Sequence, residues 1–148
     1  MEAATFEDLP KLVGQETGVS DWVLIDQDRV NKFADATGDH QWIHVDVERA
    51  NREIGGPIAH GFLTLSLIPF LGAGLLKVHG VTRGINYGAD KLRFTNMVRV
   101  GKRVRLRQKL IGAEPKSGGW QLRMENVVEI EGEDRPALVA ESLSLIYG

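Results

Sequence analysis

The stretch GFLTLSLIPFLGAGLL, residues 61–76, decides the fold, because its side chains are apolar on almost every side of a helix. A helix without a polar face has to be enclosed by other structure, so the stretch predicts a buried helix. Pro69 predicts a kink or a break within it, because proline removes a backbone donor and crowds the preceding turn. The stretch is too short to span a bilayer comfortably, which argues against a membrane protein.

Most of the remaining chain alternates between apolar and polar side chains, with the two-residue period of half-buried strands. Strands are predicted at 17–24, 81–94, 103–110, 120–130 and 138–147. Ser117-Gly118-Gly119 predicts a hairpin turn between two of them. A curved antiparallel sheet of about five strands around one buried helix accounts for the pattern, and the predicted fold class is α+β.

Two shorter helices are predicted ahead of the buried one. Asp26 has the side chain of a helix N-cap, and its helix is predicted to end at Gly38. A second helix at 46–52 also begins at an acidic cap and is closed by Gly55-Gly56-Pro57. Between the two helices, Gly38 and the bulky Trp42-Ile43 predict a segment that is not helical.

The composition is that of an ordinary globular protein. With 148 residues, 43% hydrophobic and 26% charged, the sequence predicts a single domain, 1–148, with a substantial core. The formal net charge of -2 provides no basic field for nucleic acid or an anionic membrane. The lack of cysteine excludes disulfides, thiolate zinc sites and cysteine nucleophiles. Because the acidic N-terminus also does not resemble a signal peptide, we expect a cytoplasmic protein.

The candidate catalytic side chains are concentrated just before the buried helix. Asp39 and His44 can converge on one water, where a carboxylate and a neutral imidazole share the removal of a proton. The imidazole suits this task because its pKa lies near working pH. The spacing of the two residues is generic, but their position between Gly38 and Val45-Asp46 is more specific. The segment therefore predicts an enzyme that activates water.

Three other roles compete at this segment. Asp39 also suits a turn in which its carboxylate binds nearby backbone, and His44 also suits the role of a satisfied buried histidine. His40 and His44 have the one-turn spacing of two metal ligands on a helix. A metalloprotease-type motif, however, has Glu where Gln41 stands, so no metal site is predicted.

The dipeptide His60-Gly61 opens the buried helix. The first turn of a helix leaves backbone N–H groups unpaired, and glycine lets a substrate carbonyl approach closely. The Gly61 N–H is therefore a candidate oxyanion donor. Tight packing of helix against sheet is an equally ordinary use of glycine. We expect Gly61, His60 and Gln41 to contact the substrate.

Polar residues further along the chain are ambiguous. Asn86 suits either a contact to a polar substrate group, as we expect, or a bulge in its strand. Alternate cations at 103–109 favour a solvated outer face of the sheet over a binding patch. Lys91 and Arg93 suit contacts to substrate phosphates as well as they suit solubility.

At these motifs the chain resembles the MaoC-like dehydratases, the family of (R)-specific enoyl-CoA hydratases, and especially the nodulation-protein-N-type branch. The matching residues are FADATGDHQWIHVD at 33–46, IAHGF at 58–62, Arg93-Phe94 and Val100-Gly101. The resemblance covers nearly the whole chain. It implies a hot-dog fold, in which the curved sheet wraps around the long helix. It also implies a homodimer with an acyl tunnel near the subunit interface.

The same resemblance implies that Asp39 and His44 are the catalytic pair, with the Gly61 N–H as oxyanion donor. The chain departs from the family motif at one point. Where hydratases usually read Asp-x-Asn-Pro-aliphatic-His, this chain has Gln41-Trp42 in place of Asn-Pro. Gln41 is then expected to do the orienting work of the asparagine.

The predicted activity is reversible hydration of a trans-2-enoyl-CoA to a (3R)-3-hydroxyacyl-CoA, a hydro-lyase reaction without metal or organic cofactor. One alternative is acyl-thioester hydrolysis, since hot-dog thioesterases also use a carboxylate and water near a helix N-terminus. Another is non-catalytic binding of acyl-CoA. The expected partners are an acyl-CoA substrate and a second copy of the chain, with no nucleic acid and no membrane.

Overall fold

An antiparallel sheet with the apolar helical segment packed on it dominates residues 3–148, the part of the chain that the computed structural model describes. The strands are β1 (Ala4–Thr5), β2 (Glu16–Val19), β3 (Val23–Leu24), β4 (Val78–His79), β5 (Arg83–Phe94), β6 (Arg103–Lys116), β7 (Gly119–Ile130) and β8 (Leu138–Tyr147). The helices are α1 (Gln27–Thr37), α2 (Trp42–Val45), α3 (Val47–Ile54), α4 (Gly61–Ser66) and α5 (Ile68–Gly72), with a 3₁₀ segment at Phe6–Leu12.

The main sheet has the order β2-β6-β7-β8-β5, with β3 also paired to β6, and all of its pairings are antiparallel. The predicted alternation is confirmed in β6, where every second residue from Val104 to Leu110 is buried. The predicted hairpin is confirmed as well, since Ser117 and Gly118 connect β6 to β7 with φ of 52° and 83°. Such left-handed residues give a turn whose twist matches that of the strands.

The strand predicted at 17–24 is instead two short strands, β2 and β3. The break falls at Ser20, whose backbone N–H donates to the Leu106 carbonyl at 2.8 Å. The Ser20 hydroxyl oxygen accepts from the Leu106 N–H, also at 2.8 Å. Because a side chain replaces the backbone acceptor here, the ladder is interrupted until Val23 pairs with Val104.

The apolar stretch at 61–76 forms two short helices, α4 and α5, separated at Leu67. Pro69 lies in the first turn of α5, so the predicted interruption at this proline is confirmed. The sequence predicted that other structure encloses this apolar stretch, but the helices are covered only on the side that faces the sheet. On the opposite side Phe62 and Phe70 are 64% and 61% exposed, because the sheet of one chain covers a single face of the helices.

The two predicted acidic N-caps are confirmed. The Asp26 carboxylate accepts from the Arg29 N–H at 2.9 Å at the start of α1, and the Asp46 carboxylate accepts from the Arg49 N–H at 3.1 Å at the start of α3. Gly38, with φ of 83°, ends α1 in the left-handed region that favours glycine.

The prediction that residues between α1 and α3 are not helical is wrong, since Trp42–Val45 form the single turn α2. Its apolar side chains did not reveal the tertiary contact that holds it. The Ile43 carbonyl accepts from the Ile58 N–H at 3.0 Å, which ties the turn to the segment that leads into α4.

Two apolar clusters fill the space on the inner side of the sheet. The helix-side cluster includes Leu63, Leu67, Leu71, Leu106, Val128 and Leu138. The N-terminal cluster consists of Leu9, Leu110, Leu122, Met124 and Ile146, with Phe6 and Trp120 packed against it. None of the helices within residues 3–148 has the length and apolar character needed to cross a membrane.

A buried polar row crosses the sheet between these clusters. The Thr17 hydroxyl donates to Gln108 Oε1 at 3.1 Å, and Gln108 Nε2 donates to Asn126 Oδ1 at 3.0 Å. Asn126 Nδ2 continues the row to the Ser142 hydroxyl at 2.9 Å. Since each link has a partner on the next strand, the row fixes the register of β2, β6, β7 and β8.

Candidate active site

The structure brings Asp39 and His44 together, and it adds His60 to them. Asp39 directly follows the glycine that ends α1, His44 lies in α2, and His60 is the N-cap residue of α4. One carboxylate oxygen of Asp39 and one ring nitrogen of each histidine lie within 4.8 Å of one another. One water that donates to two acceptors at ordinary distances spans about 4.5 Å, so this separation suits a shared water.

His44 is buried with its tautomer set by the backbone. Its Nδ1–H donates to the Ile58 carbonyl at 2.7 Å, which leaves Nε2 as an acceptor. Burial lowers the pKa of His44 below its ordinary value, and a charge on His60 also lowers it. The Ile58 carbonyl and the Asp39 carboxylate act in the opposite direction. The result is a neutral imidazole at working pH, the form that accepts a proton.

Asp39 is exposed, and its carboxylate has a backbone partner. Oδ1 accepts from the Gln41 N–H at 3.3 Å, so the turn role considered for Asp39 is present in the structure. This hydrogen bond does not use the side chain of Gln41, which is exposed. The orientation of the carboxylate therefore involves the Gln41 backbone amide, whatever its side chain contributes.

His60 is 3% exposed and lies between two aromatic rings. Its ring stacks on that of His44, with centroids 3.8 Å apart and 23° between the planes, and Phe33 packs on it at 4.8 Å. The His60 Nε2–H donates to the Asp39 backbone carbonyl at 3.0 Å. Nδ1 is buried without a hydrogen-bond partner among residues 3–148.

The cluster has the residue types of a metal site but not the ring orientation. In rings that are nearly parallel, the nitrogen lone pairs lie in parallel planes, so an ion in the plane of the His44 ring is far from the plane of the His60 ring. His40 does not join the cluster, because its Nε2 contacts Asp35 Oδ1 at 2.9 Å in an exposed pair. The one-turn pairing of His40 with His44 as metal ligands therefore does not form.

A cavity of about 500 Å³ lies beside His44. Its lining residues are His44, Ile58, Ala59, Gly61, Phe62, Thr64, Phe94, Thr95, Asn96, Met97, Val98, Arg135 and Ala137. Phe62, Phe94 and Met97 are also exposed, so this side of the cavity is open in the single chain. Asp39, Gln41 and His60 are outside the lining set and adjoin the cavity through His44.

Gly61 is tightly packed at the wall of this cavity. A Cβ at this position would lie 3.0 Å from the Phe94 ring, so the packing role of the glycine is present. The hydrogen bonds of α4 begin with the Leu63 N–H, which donates to the His60 carbonyl at 3.1 Å. The Gly61 N–H precedes this first intrahelical donor and is left for another acceptor.

The other candidate residues lie away from the cavity. Asn86 is exposed on β5 opposite Ser144, next to a register shift between Asn86 and Gly88 that fits the bulge alternative. Lys91 pairs with Glu141 at 3.6 Å, and the Arg93 guanidinium donates to the Leu92 carbonyl at 2.7 Å.

The cations of β6 are largely neutralised by acidic neighbours. Arg105 pairs with Glu129 at 2.8 Å and Arg107 with Glu16 at 2.9 Å, and Arg103 pairs with Glu131. This is the solvated outer face that the sequence favoured.

Some cavity residues were missed from the sequence. Thr64, Met97, Arg135 and Ala137 line the cavity although no motif singled them out. Phe94 had a signal in the Arg93-Phe94 resemblance, but its contact with Gly61 joins two distant parts of the chain.

Comparison with known proteins identifies the family. The model of the MaoC like domain matches residues 8–131. The chain belongs to the MaoC-like family. It is 51% identical over 147 residues to 3-hydroxyacyl-thioester dehydratase Z of Mycobacterium tuberculosis, a match that covers 94% of this chain and 95% of the relative. It is 45% identical over 150 residues to nodulation protein N of Rhizobium leguminosarum bv. viciae, with 99% and 93% covered.

Solved structures agree with this assignment. The R-hydratase PhaJ1 from Pseudomonas aeruginosa matches with a TM-score of 0.74 and 26% identity over 91% of this chain and 81% of that protein. The (R)-hydratase from A. caviae involved in PHA biosynthesis matches in fold, with a TM-score of 0.73 and 23% identity over 89% and 94%. The MaoC-like chain therefore has the hot-dog fold and is an enzyme of the hydratase–dehydratase class, a hydro-lyase.

Proposed function

We propose that this MaoC-like enzyme catalyses the reversible hydration of a trans-2-enoyl-CoA to a (3R)-3-hydroxyacyl-CoA. The observation that carries the proposal is the convergence of the Asp39 carboxylate and a neutral, buried His44 beside a largely apolar cavity. The name of the mycobacterial relative, a 3-hydroxyacyl-thioester dehydratase, supports a thioester as the substrate.

In the proposed mechanism Asp39 and His44 Nε2 hold one water. As its oxygen attacks C3 of the conjugated thioester, one of these groups takes a proton from the water. The pair of electrons of the C2–C3 double bond moves toward the thioester carbonyl and forms an enolate. A proton is then delivered to C2 from the same face, so one water adds across the double bond and both side chains return to their starting state.

The enolate oxygen needs a donor, and we propose the Gly61 N–H for this role. It lies at the cavity wall ahead of the first intrahelical hydrogen bond of α4. A donor aimed at developing negative charge stabilises the transition state more than the ground state.

We propose that no metal or organic cofactor takes part. Conjugation of the double bond with the thioester already makes C3 electrophilic. The parallel rings of His44 and His60 also suit a water held by one ring better than an ion shared by both.

We propose a homodimer in which a second copy closes the cavity. Almost every residue of β5 is exposed on both faces of the strand, and its apolar members Ile85 and Phe94 are 48% and 46% exposed. The uncovered Phe62 packs edge-on against Phe94, with ring centroids 5.6 Å apart. These two rings belong both to the cavity lining and to the exposed apolar face, so a partner on this face would complete the cavity.

The experiment that tests the proposal follows the enoyl absorbance of crotonyl-CoA and longer trans-2-enoyl-CoAs in the presence of the purified protein. We expect loss of absorbance without free thiol, and a 3R product by chiral analysis. A 3S product, or no turnover at any chain length, would contradict the proposal.

A thiol reagent in the same assay separates hydration from the thioesterase alternative. Release of free CoA would indicate hydrolysis of the thioester. Binding of acyl-CoA without turnover would indicate the non-catalytic alternative.

A cytoplasmic location stays a prediction.

A further inference from the structure

The proposed reaction uses the carboxylate of Asp39 and Nε2 of His44, but it gives no task to the third member of the cluster. His60 is more deeply buried than His44 and contacts both residues by different means. Its ring stacks on His44 at 3.8 Å, and its Nε2–H donates to the backbone carbonyl of Asp39 at 3.0 Å.

We propose that His60 is a positioning residue that holds the His44 ring and the Asp39 backbone in one arrangement, so that both face the same water. The inference rests on the proposed function only for its kinetic consequence. It departs from the sequence expectation that His60 contacts the substrate.

Two contacts of His60 act on different partners. The Nε2–H bond holds the peptide of Asp39, which directly follows the C-cap glycine of α1. The stacked face leaves the His44 ring little freedom to rotate, while the Ile58 carbonyl fixes which His44 nitrogen carries the proton. Together the contacts set both partners of the water from one rigid side chain.

The hydrogen bonds also fix the tautomer of His60. Because Nε2 donates to a carbonyl, Nε2 carries a proton, and in the neutral ring Nδ1 is a bare acceptor. This acceptor is buried and unpartnered among the described residues, which a residue kept only for packing would avoid. Phenylalanine has a similar shape without a nitrogen to bury, so the imidazole is explained by its hydrogen bond rather than by its volume.

Substitutions can separate the two contacts. His60→Phe keeps an aromatic ring against His44 and Phe33 but removes the donor to Asp39. His60→Gln keeps an N–H donor at a similar reach but removes the ring. The matched control is His40→Phe, because His40 is an exposed histidine of the same segment that contacts Asp35 instead.

For His60→Phe we expect kcat to fall by about 100-fold, since small misplacements of reacting groups have effects of this size. KM for the enoyl-CoA should be unchanged, and His60→Gln should recover part of kcat. A raised KM with unchanged kcat would assign His60 to substrate contact and would overturn the proposal. An unchanged kcat in His60→Phe would overturn it too.

A double-variant cycle tests whether His60 acts through His44. If it does, His60→Gln, which removes the ring stacked on His44, should add little further loss to His44→Ala, because the ring that it holds is already gone. Independent, multiplicative losses in the double variant would contradict a positioning role.

Nitrogen NMR of ¹⁵N-histidine protein tests the arrangement without any turnover. The chain has 4 histidines, so the spectrum is simple to assign with single variants. We expect the Nδ1–H tautomer for His44 and the Nε2–H tautomer for His60 in the unaltered protein. His60→Gln should broaden the ring signals of His44, because the stack no longer holds its ring, whereas His40→Phe should leave them unchanged.

This measurement decides the proposal even where His60→Phe does not fold or the enzyme does not hydrate enoyl-CoA. An Nδ1–H tautomer of His60 in the unaltered protein would exclude the hydrogen bond to Asp39 and overturn the inference. The expected tautomers together with an inactive enzyme would contradict the proposed reaction while leaving the positioning contacts in place.

Discussion

Residues 35–44 contain two aspartate–histidine pairs with the same spacing, Asp35 with His40 and Asp39 with His44. The first pair is a direct exposed contact at 2.9 Å, and the hydrogen bond that His40 donates to the Asp35 carboxylate raises the pKa of His40. In the second pair burial lowers the pKa of His44, and the carboxylate lies near the ring without a direct hydrogen bond between the two. The same residue types at the same spacing are therefore prepared for opposite protonation states.

The difference teaches that spacing alone does not make a base. His44 differs from His40 because distant parts of the chain cover it, namely Ile58 with its carbonyl and His60 with its ring. His40 is exposed, and its hydrogen-bond partners, Asp35 and the Gly38 backbone, lie within five residues of it in the sequence. Substitutions in the Asp39–His44 pair should therefore lower kcat, whereas substitutions in the Asp35–His40 pair should not.

The largest expected effect comes from substitution of the buried pair. Asp39→Asn and His44→Ala should each lower kcat by about 10² to 10⁴-fold, the usual loss when a general base is removed. The matched variants Asp35→Asn and His40→Ala should leave kcat unchanged. Equal losses in both pairs, or near-normal turnover of crotonyl-CoA by Asp39→Asn and His44→Ala, would show that the buried pair is not the base.

A smaller loss is expected at Gly61, whose N–H is the proposed donor to the enolate oxygen. In Gly61→Ala the new Cβ would lie 3.0 Å from the Phe94 ring, so Phe94 or α4 must shift. We expect kcat to fall by about 10- to 100-fold through misplacement of the N–H. Gly74→Ala is the control, since its Cβ would meet nothing within 4 Å. Full activity of Gly61→Ala would argue against this N–H as the donor.

The pH dependence should separate the two histidines. His44, the proposed base, accepts a proton only when neutral, so kcat/KM should fall as the pH drops through its pKa, which burial holds below the ordinary value of about 6.5. NMR titration should place His40 above that value and His44 below it. Asp35→Asn should lower the pKa of His40 and leave the acid limb of kcat/KM in place. If Asp35→Asn shifts the acid limb of kcat/KM, that limb reports the titration of His40 and not of His44.

The smallest effect concerns stability. The lowered pKa of His44 contributes stability that is present above its unfolded pKa and lost as the pH falls through its folded pKa. The raised pKa of His40 has the opposite sign, with stability present at low pH and lost as the pH rises through its folded pKa. Because the Asp35–His40 pair is exposed, Asp35→Asn should not change the urea midpoint measurably at acidic or at neutral pH. A clear shift at acidic pH would show that the exposed pair is structural.

Much of the fold could be predicted from local patterns. The alternation in β6, the caps at Asp26 and Asp46 and the break at Pro69 all depend on neighbours within a few residues. The split of the first predicted strand at Ser20 depends on a side chain that reaches Leu106 across the sheet, and no local pattern contains that contact.

The candidate site shows the same limit. Sequence reasoning selected Asp39, His44 and Gly61, which the structure brings to one region. It assigned α2 to a loop, because the hydrogen bond from Ile58 to Ile43 joins separate segments. The stacking of His60 on His44 and the contact of Phe94 with Gly61 likewise join segments that are separate in the sequence.

The polar row from Thr17 to Ser142 separates the N-terminal cluster from the helix-side cluster, and substitutions in the two clusters should affect different properties. Truncation of a residue in the N-terminal cluster, such as Leu9, should lower the free energy of unfolding while Asp39 and His44 keep their geometry. Truncation of a residue in the helix-side cluster, such as Leu63, should disturb the packing of α4 and so the positions of Gly61 and His60. Stability and turnover are therefore expected to be partly uncoupled, so that substitutions in the N-terminal cluster can change stability without changing turnover.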